Sequence, residues 1–195
     1  KTCLEIGQSI MWDNGAFTTY TSGKVFDHQA YYDWLQDKLV HPHWAVIPDV
    51  IGGDEKQNKN FLHTWPYSKC HGVPVWHLHL SLDYLVYLCE NYPKVCFGSS
   101  GQYWQVGSAS WEERVNEAFN TLDKKFKTMP WIHMLRGLNM SGKRWPFASA
   151  DSVNVSRNYK SSKRCPEKMA REIDSIQCPT HWVEVKTKQL SLIDE

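Results

Sequence analysis

No apolar run in this chain approaches the roughly 20 residues that a membrane-spanning helix requires, so no helical passage through a bilayer is expected. Net charge is nearly absent as well: 22 Lys and Arg stand against 21 Asp and Glu, a formal +1. That balance gives no overall electrostatic reason for a nucleic-acid partner, and any such contact would rest on a local patch. Six cysteines, at 3, 70, 89, 96, 165 and 178, include no C-x2-C pair. Cys89 and Cys96 lie in apolar segments, where a free thiol behaves as a small hydrophobe. Reduced cysteines in a cytoplasmic protein are therefore expected. Cys165, Cys178 and His181 hint at zinc, but their spacing fits no C-x2-C pattern, and neither a metal nor a cofactor is expected. Internal repeats, low-complexity tracts and a secretory leader pattern at the start are also missing, and the chain begins with Lys1.

What is present is a short phrase that recurs. Ile10-Met11-Trp12 runs apolar into Asp13, and Asn14-Gly15 opens a loop before the strand-like Phe17-Thr18-Thr19-Tyr20. Trp44 to Val50 runs apolar into Asp49, with Asp54 following Gly52-Gly53, and Phe147-Ala148-Ser149-Ala150 runs into Asp151. Further strands are expected at Gly72 to His79, Lys94 to Phe97 and Trp131 to Leu135. A last one is expected at His181 to Val185. Helical spacing of apolar residues predicts helices over Asp27 to Val40, Ser81 to Tyr92 and Trp111 to Lys127. Two more are expected: Glu55 to Trp65, which Asp54 is placed to cap, and Pro166 to Ile176.

Strands alternating with helices at this spacing argue for parallel βα units. The length of 195 residues suits one domain. The repeated units fit either an open doubly wound sheet or a (β/α)8 barrel. A typical barrel needs about 250 residues, so the barrel reading expects one incomplete at its N-terminus, with core motifs over 8–158 and a C-terminal extension over 159–195.

In parallel α/β architectures the loops after the strand C-termini build the active site. Those positions hold Asp13, Asp49, Asp54, His77, His79, Gly98 to Gly101, Arg136 and Asp151. Two carboxylates in different environments are what nucleophilic plus acid–base chemistry needs: one ionised to attack, the other holding a proton. Gly98-Ser99-Ser100-Gly101 offers backbone N–H groups to an anion or carbonyl oxygen. Phe17, Tyr103 and Trp104 are placed to stack on a planar base. A single Asp at a strand end equally serves as a cap, and His77 and His79 equally suit a hydrogen-bonding role in the core.

On these residues the chain resembles a known family. Asp13-Asn14-Gly15-Ala16-Phe17 is similar to the DSGGF/DSGAF signature of tRNA-guanine transglycosylases and their DpdA-type DNA-modifying relatives. Pro48-Asp49-Val50 with Asp54-Glu55, Val75 to His79, Phe97 to Gly101, His133 to Leu138 and Ala150-Asp151-Ser152-Val153 follow in the family's order. The pattern also resembles phage and prophage proteins of this superfamily. Asn14 stands where the signature has Ser, and the Cys-x-Cys-x2-Cys…His zinc insertion of the bacterial tRNA enzymes is missing.

The resemblance implies a TIM-type (β/α)8 barrel and a pentosyltransferase that replaces guanine by a 7-deazaguanine base in DNA or tRNA. It implies Asp151 as the nucleophile that forms a covalent glycosyl-enzyme and Asp13 as general acid/base. Asp54 would read the base edge, the Gly98-Ser99 backbone would take its carbonyl, and Phe17 would stack on it. His77 and Arg136 complete the implied substrate-binding set. A homodimer, as tRNA enzymes of the family form, is left open. A glycoside or nucleoside hydrolase using the same carboxylates, and a non-catalytic barrel that binds nucleic acid or a nucleobase, are the alternatives.

Overall fold

The computed structural model describes residues 4–5, 7–153, 157–158 and 165–185. Its strands are β1 (Met11–Trp12), β2 (Trp44–Val46), β3 (Gly72–Val73), β4 (Val75–His77), β5 (Lys94–Gly98), β6 (Trp131–Met134) and β7 (Ser149–Ala150). The helices are α1 (Ala16–Thr21), α2 (His28–Leu35), α3 (Glu55–Thr64), α4 (Leu82–Asn91), α5 (Ala109–Lys125) and α6 (Pro166–Asp174). Every strand pair is parallel, and neighbours in space follow the order in sequence: β1-β2-β3 in one sheet and β4-β5-β6-β7 in another. Among the described residues, no helix is long and apolar enough to cross a membrane.

The stretch expected as one strand over Gly72 to His79 is divided at Pro74. Proline has no N–H to give a ladder, so β3 bonds β2 while β4 bonds β5. Its carbonyl still accepts from the Cys96 N–H at 2.8 Å, and this bond joins the two sheets at the seam.

Four helices start where a side chain takes an orphan N–H of the first turn. Asp27, Asp54, Ser81 and Ser108 accept from Ala30, Gln57, Tyr84 and Trp111 respectively. Asp54 and Gln57 form a full capping box. In α5 an apolar stripe is buried from Val115 through Ala118 and Phe119 to Leu122, and Trp111 joins it. In α2 the buried face is Tyr31, Tyr32 and Leu35, with Trp34 left 46% exposed although it lies at the apolar helical spacing.

Phe17-Thr18-Thr19-Tyr20 is helical, in α1, rather than a strand. The reason is local: Asn14 Oδ1 accepts the Ala16 N–H at 2.8 Å, and Gly15 takes φ +73°, a left-handed conformation that costs glycine little. The threonine hydroxyls then bond back to carbonyls one turn earlier, Thr19 to Gly15 and Thr21 to Phe17. The expected strand at His181 to Val185 is also absent from the described residues. The Asn120 amide on α5 holds that segment instead, accepting from Trp182 Nε1 at 2.8 Å and the Val185 N–H at 3.2 Å and donating to the Val185 carbonyl at 2.8 Å.

The strand period of two separates two apolar layers. Ala45, Trp76, Val95, Phe97, Ile132 and Met134 face the helices. Trp44, Val46, Val73, Val75 and Cys96 face the other way and pack with Met11, Trp131 and Leu135. The Trp44 ring lies against those of Trp131 and His133, with centroids 5.6 and 5.3 Å apart. The inner faces of both sheets therefore meet in one interior. Those inner rows end in His77 and Gly98, the last residues of β4 and β5, and continue just past β1 and β7 to Asp13 and Asp151, which is how the fold carries an apolar floor up to a polar rim.

Candidate active site

A cavity of about 230 Å³ opens at the C-terminal ends of the strands, lined by Asp13, Asn14, Phe17, Asp49, His77, Gly98, Ser99, Ser100, Arg136 and Asp151 among others. His79, Gly101, Tyr103 and Trp104 do not line this cavity, whereas seven of the eight residues in the catalytic and substrate-binding set that the resemblance implies are brought together there. Asp54 is the exception. Its Oδ1 accepts the Gln57 N–H at 2.8 Å as the α3 cap, and its side chain lies in a separate shallow groove with Gly53, Glu55 and His79. The carboxylate that enters the cavity from this segment is Asp49. The Asp-x-x-Gln spacing from 54 to 57 is itself a capping signature and is the signal that separates the two.

Asp49 is held from both sides. Its Oδ1 accepts from Asn14 Nδ2 at 2.7 Å and its Oδ2 from His77 Nε2 at 2.8 Å. Because a carboxylate only accepts, His77 carries its proton on Nε2. Asn14 Nδ2 also donates to the Ile47 carbonyl at 3.1 Å, so Asn14 ties the end of β1 to the end of β2. Tyr31 reinforces that junction, its hydroxyl lying 3.0 Å from the carbonyl oxygens of both Trp12 and Val46.

Asp151 is held differently. His133 Nε2 lies 3.3 Å from Oδ1, and the backbone N–H of Arg136 donates to the same oxygen at 2.7 Å. Ser149 Oγ lies 2.7 Å from His133 Nδ1 and donates to it when His133 gives its Nε2 proton to Asp151. The register that pairs His133 with Ser149 across β6 and β7 makes this chain possible. Arg136 adopts φ +59°, a left-handed conformation that non-glycine residues rarely take, and this orients its N–H toward Asp151. Burial alone would raise the Asp151 carboxyl, but the hydrogen bonds from His133 and the Arg136 N–H, with the positive charge of the Arg136 guanidinium, hold it below the usual carboxylate range.

Asp13 shifts the opposite way. The residue is exposed at the cavity, yet the protein around the carboxyl displaces part of its hydration. That partial desolvation raises it above the usual range, Asp151 and Asp49 push it further, and the Gly15 N–H only partly offsets them. Beneath the three carboxylates lies Cys96, fully buried on β5. Its thiol is pushed well above the ordinary range, first by burial and then by the charges of Asp151, Asp49 and Asp13.

Gly98 is required for space. A Cβ there would stand 2.8 Å from Val75 Cγ1 and 2.9 Å from His77 Nδ1. Ser99 is buried with its hydroxyl accepting from Trp111 Nε1 at 2.9 Å, and its carbonyl accepts from Arg136 Nη2 at 2.5 Å. The Arg136 guanidinium covers one face of the Phe17 ring at 4.4 Å from its centroid. Ser100 Oγ meets His79 Nδ1 at 3.3 Å, and His79 Nε2 donates to the Gly53 carbonyl at 2.9 Å, linking the loops after β5, β4 and β2.

Among the described residues, no group of three His, Cys, Asp or Glu is placed to hold a metal ion. Of the residues that hinted at zinc, Cys165 donates to Glu167 Oε2 and Cys178 Sγ accepts the Gly142 N–H. Comparison with protein-family models, curated proteins and solved structures returns no match.

Proposed function

We propose that this chain is a base-exchanging transglycosylase, replacing guanine by a 7-deazaguanine base in DNA or tRNA through a covalent aspartyl-glycosyl intermediate. One observation carries the proposal. Two strand-end carboxylates share a small cavity, and their surroundings drive them apart, Asp13 toward the protonated form and Asp151 toward the ionised one. Such opposed tuning is how paired carboxylates divide into acid and nucleophile.

In the proposed reaction, the free oxygen of Asp151 attacks C1′ of the target nucleotide. The C1′–N9 pair leaves with guanine, which takes the proton from Asp13. The Asp13 carboxylate then removes the N–H proton of the incoming base, whose nitrogen attacks C1′ and releases Asp151. Two displacements retain the configuration, as in retaining glycosidases. Asp49, rather than Asp54, reads the base edge in this scheme, since its side chain lines the cavity and its oxygens can accept from adjacent N–H groups. Phe17 offers its remaining face for stacking, and the cavity suits one unstacked base.

The finer architecture that we propose is a TIM-type barrel. It is supported by the sequence-ordered parallel strands, by the inner apolar layer shared between sheets, and by carboxylates at the strand C-termini.

The test is incubation with guanine-containing DNA and tRNA, with labelled guanine and with 7-deazaguanine. A denaturation-resistant protein–nucleic acid adduct and label exchange are expected, both lost in Asp151→Asn. No adduct and no exchange on either nucleic acid would refute the proposal. Release of free base without incorporation would point instead to a hydrolase.

A further inference from the structure

We infer that the groove between α6 and the loop after β6 seats the phosphodiester strand flanking the target nucleotide, an inference that rests on the base-exchange reading. The groove holds about 680 Å³ and is lined by Arg136, Ser152, Lys168, Met169, Glu172 and Ile173 among others. It adjoins the catalytic cavity directly. Arg136 lines both spaces, and Ser152 follows the nucleophile Asp151.

The two volumes divide the work. At about 230 Å³ the catalytic cavity falls below the roughly 300–1,000 Å³ of ordinary small-molecule sites, so it takes a base and little else. The sugar then sits at its mouth, where Asp151 reaches C1′, its phosphate and the neighbouring nucleotide must lie outside, and the larger space begins at the next residue along the chain.

The chemistry of the lining agrees. A guanidinium has five N–H donors in a fixed fork. One Arg136 nitrogen, Nη2, is bonded to the Ser99 carbonyl, an anchor that fixes the fork at the boundary between the two spaces. Lys168 brings a second cation on α6. Its partner Glu172 is 3.9 Å away, and both side chains are about two-thirds exposed or more, a pairing weak enough for a phosphate to displace. Met169 and Ile173 give the floor an apolar surface for a sugar or a base face. This local cationic path supplies what a net charge of +1 does not.

Binding is measured separately from turnover, by fluorescence anisotropy of short labelled single strands of DNA and of RNA over a range of salt. Lys168→Glu should weaken binding regardless of sequence and lower the salt slope by about 0.7 for each phosphate contact removed. Arg136→Gln should do the same. Lys168 is exposed on α6, so its variant reports even where Arg136→Gln disturbs the cavity. Unchanged slopes in both variants, or no strand binding by the unaltered chain, would overturn the groove. Either result can be read whether or not base exchange occurs. Loss confined to one nucleic acid would identify which strand the groove takes.

Discussion

Asn14 makes three hydrogen bonds from a buried position: to the Ala16 N–H, the Ile47 carbonyl and Asp49 Oδ1. Replacing it with Ala removes all of them. A neutral hydrogen bond contributes about 0.5–1.5 kcal/mol and one to a charged group about 1.5–3 kcal/mol. The gross loss is therefore about 2.5–6 kcal/mol. Water entering through the cavity restores part of it, and about 3 kcal/mol is the expected net destabilisation. The functional consequence is distinct from the structural one. Asp49 keeps His77 but loses the amide that fixes its other oxygen, so it can rotate away from a bound base. The guanine KM should rise at least about tenfold, the equivalent of 1.4 kcal/mol, while kcat falls much less because Asp13 and Asp151 are held by other partners. Urea denaturation measures the first quantity and steady-state guanine exchange the second. A stability loss under about 1 kcal/mol together with an unchanged KM would show that Asn14 does not position Asp49.

The proposed exchange requires Asp151 ionised and Asp13 protonated at the first step. Its rate should thus fall on the acid side through the lowered Asp151 value and on the alkaline side through the raised Asp13 value. Asp13→Asn should abolish the alkaline limb along with most activity, as a pH–rate profile would show. For stability, an acid whose folded value is raised binds more protons when folded, so stability falls as pH rises through that window. Asp13→Asn should consequently stabilise the fold at neutral pH, and the gain should vanish in denaturation curves taken below the ordinary Asp value. Gly98→Ala places a methyl against Val75 and His77 and should cost about 1–3 kcal/mol, with weaker base binding as His77 is displaced from Asp49. Asn120→Ala removes three bonds to the segment ending at Val185. It should cost about 2 kcal/mol and speed limited proteolysis near Trp182.

Most strands were legible as short apolar runs that stop at Gly, Pro or Asp, although Pro74 divides one expected run into β3 and β4 and the run at His181 to Val185 forms no strand, and the amphipathic period of α5 needed no tertiary information. Local residue preference failed in α1. Phe17-Thr18-Thr19-Tyr20 is rich in residues that favour strands, yet a buried Asn14 and a left-handed Gly15 start a helix that the threonines complete. The site was legible where a residue follows directly on an inner row, as Asp13 follows Met11 and Asp151 follows Ser149. It was less so for Asp49, three residues past β2, where Asp54 offered a competing carboxylate with a capping role. His133 shows the remaining difficulty. Its inward direction follows from the strand period, but its hold on Asp151 depends on the β6–β7 register, which joins residues 18 positions apart.

Cys96 gives the molecule a built-in reporter of its own opening. Sealed on β5 under three carboxylates that disfavour its thiolate, it should resist alkylating reagents as long as the sheet is intact, since the thiolate is the reactive form. Cys70 and Cys165 are exposed and should label at once in the same tube. The lag between the two classes would time how often the strands beneath the polar rim come apart.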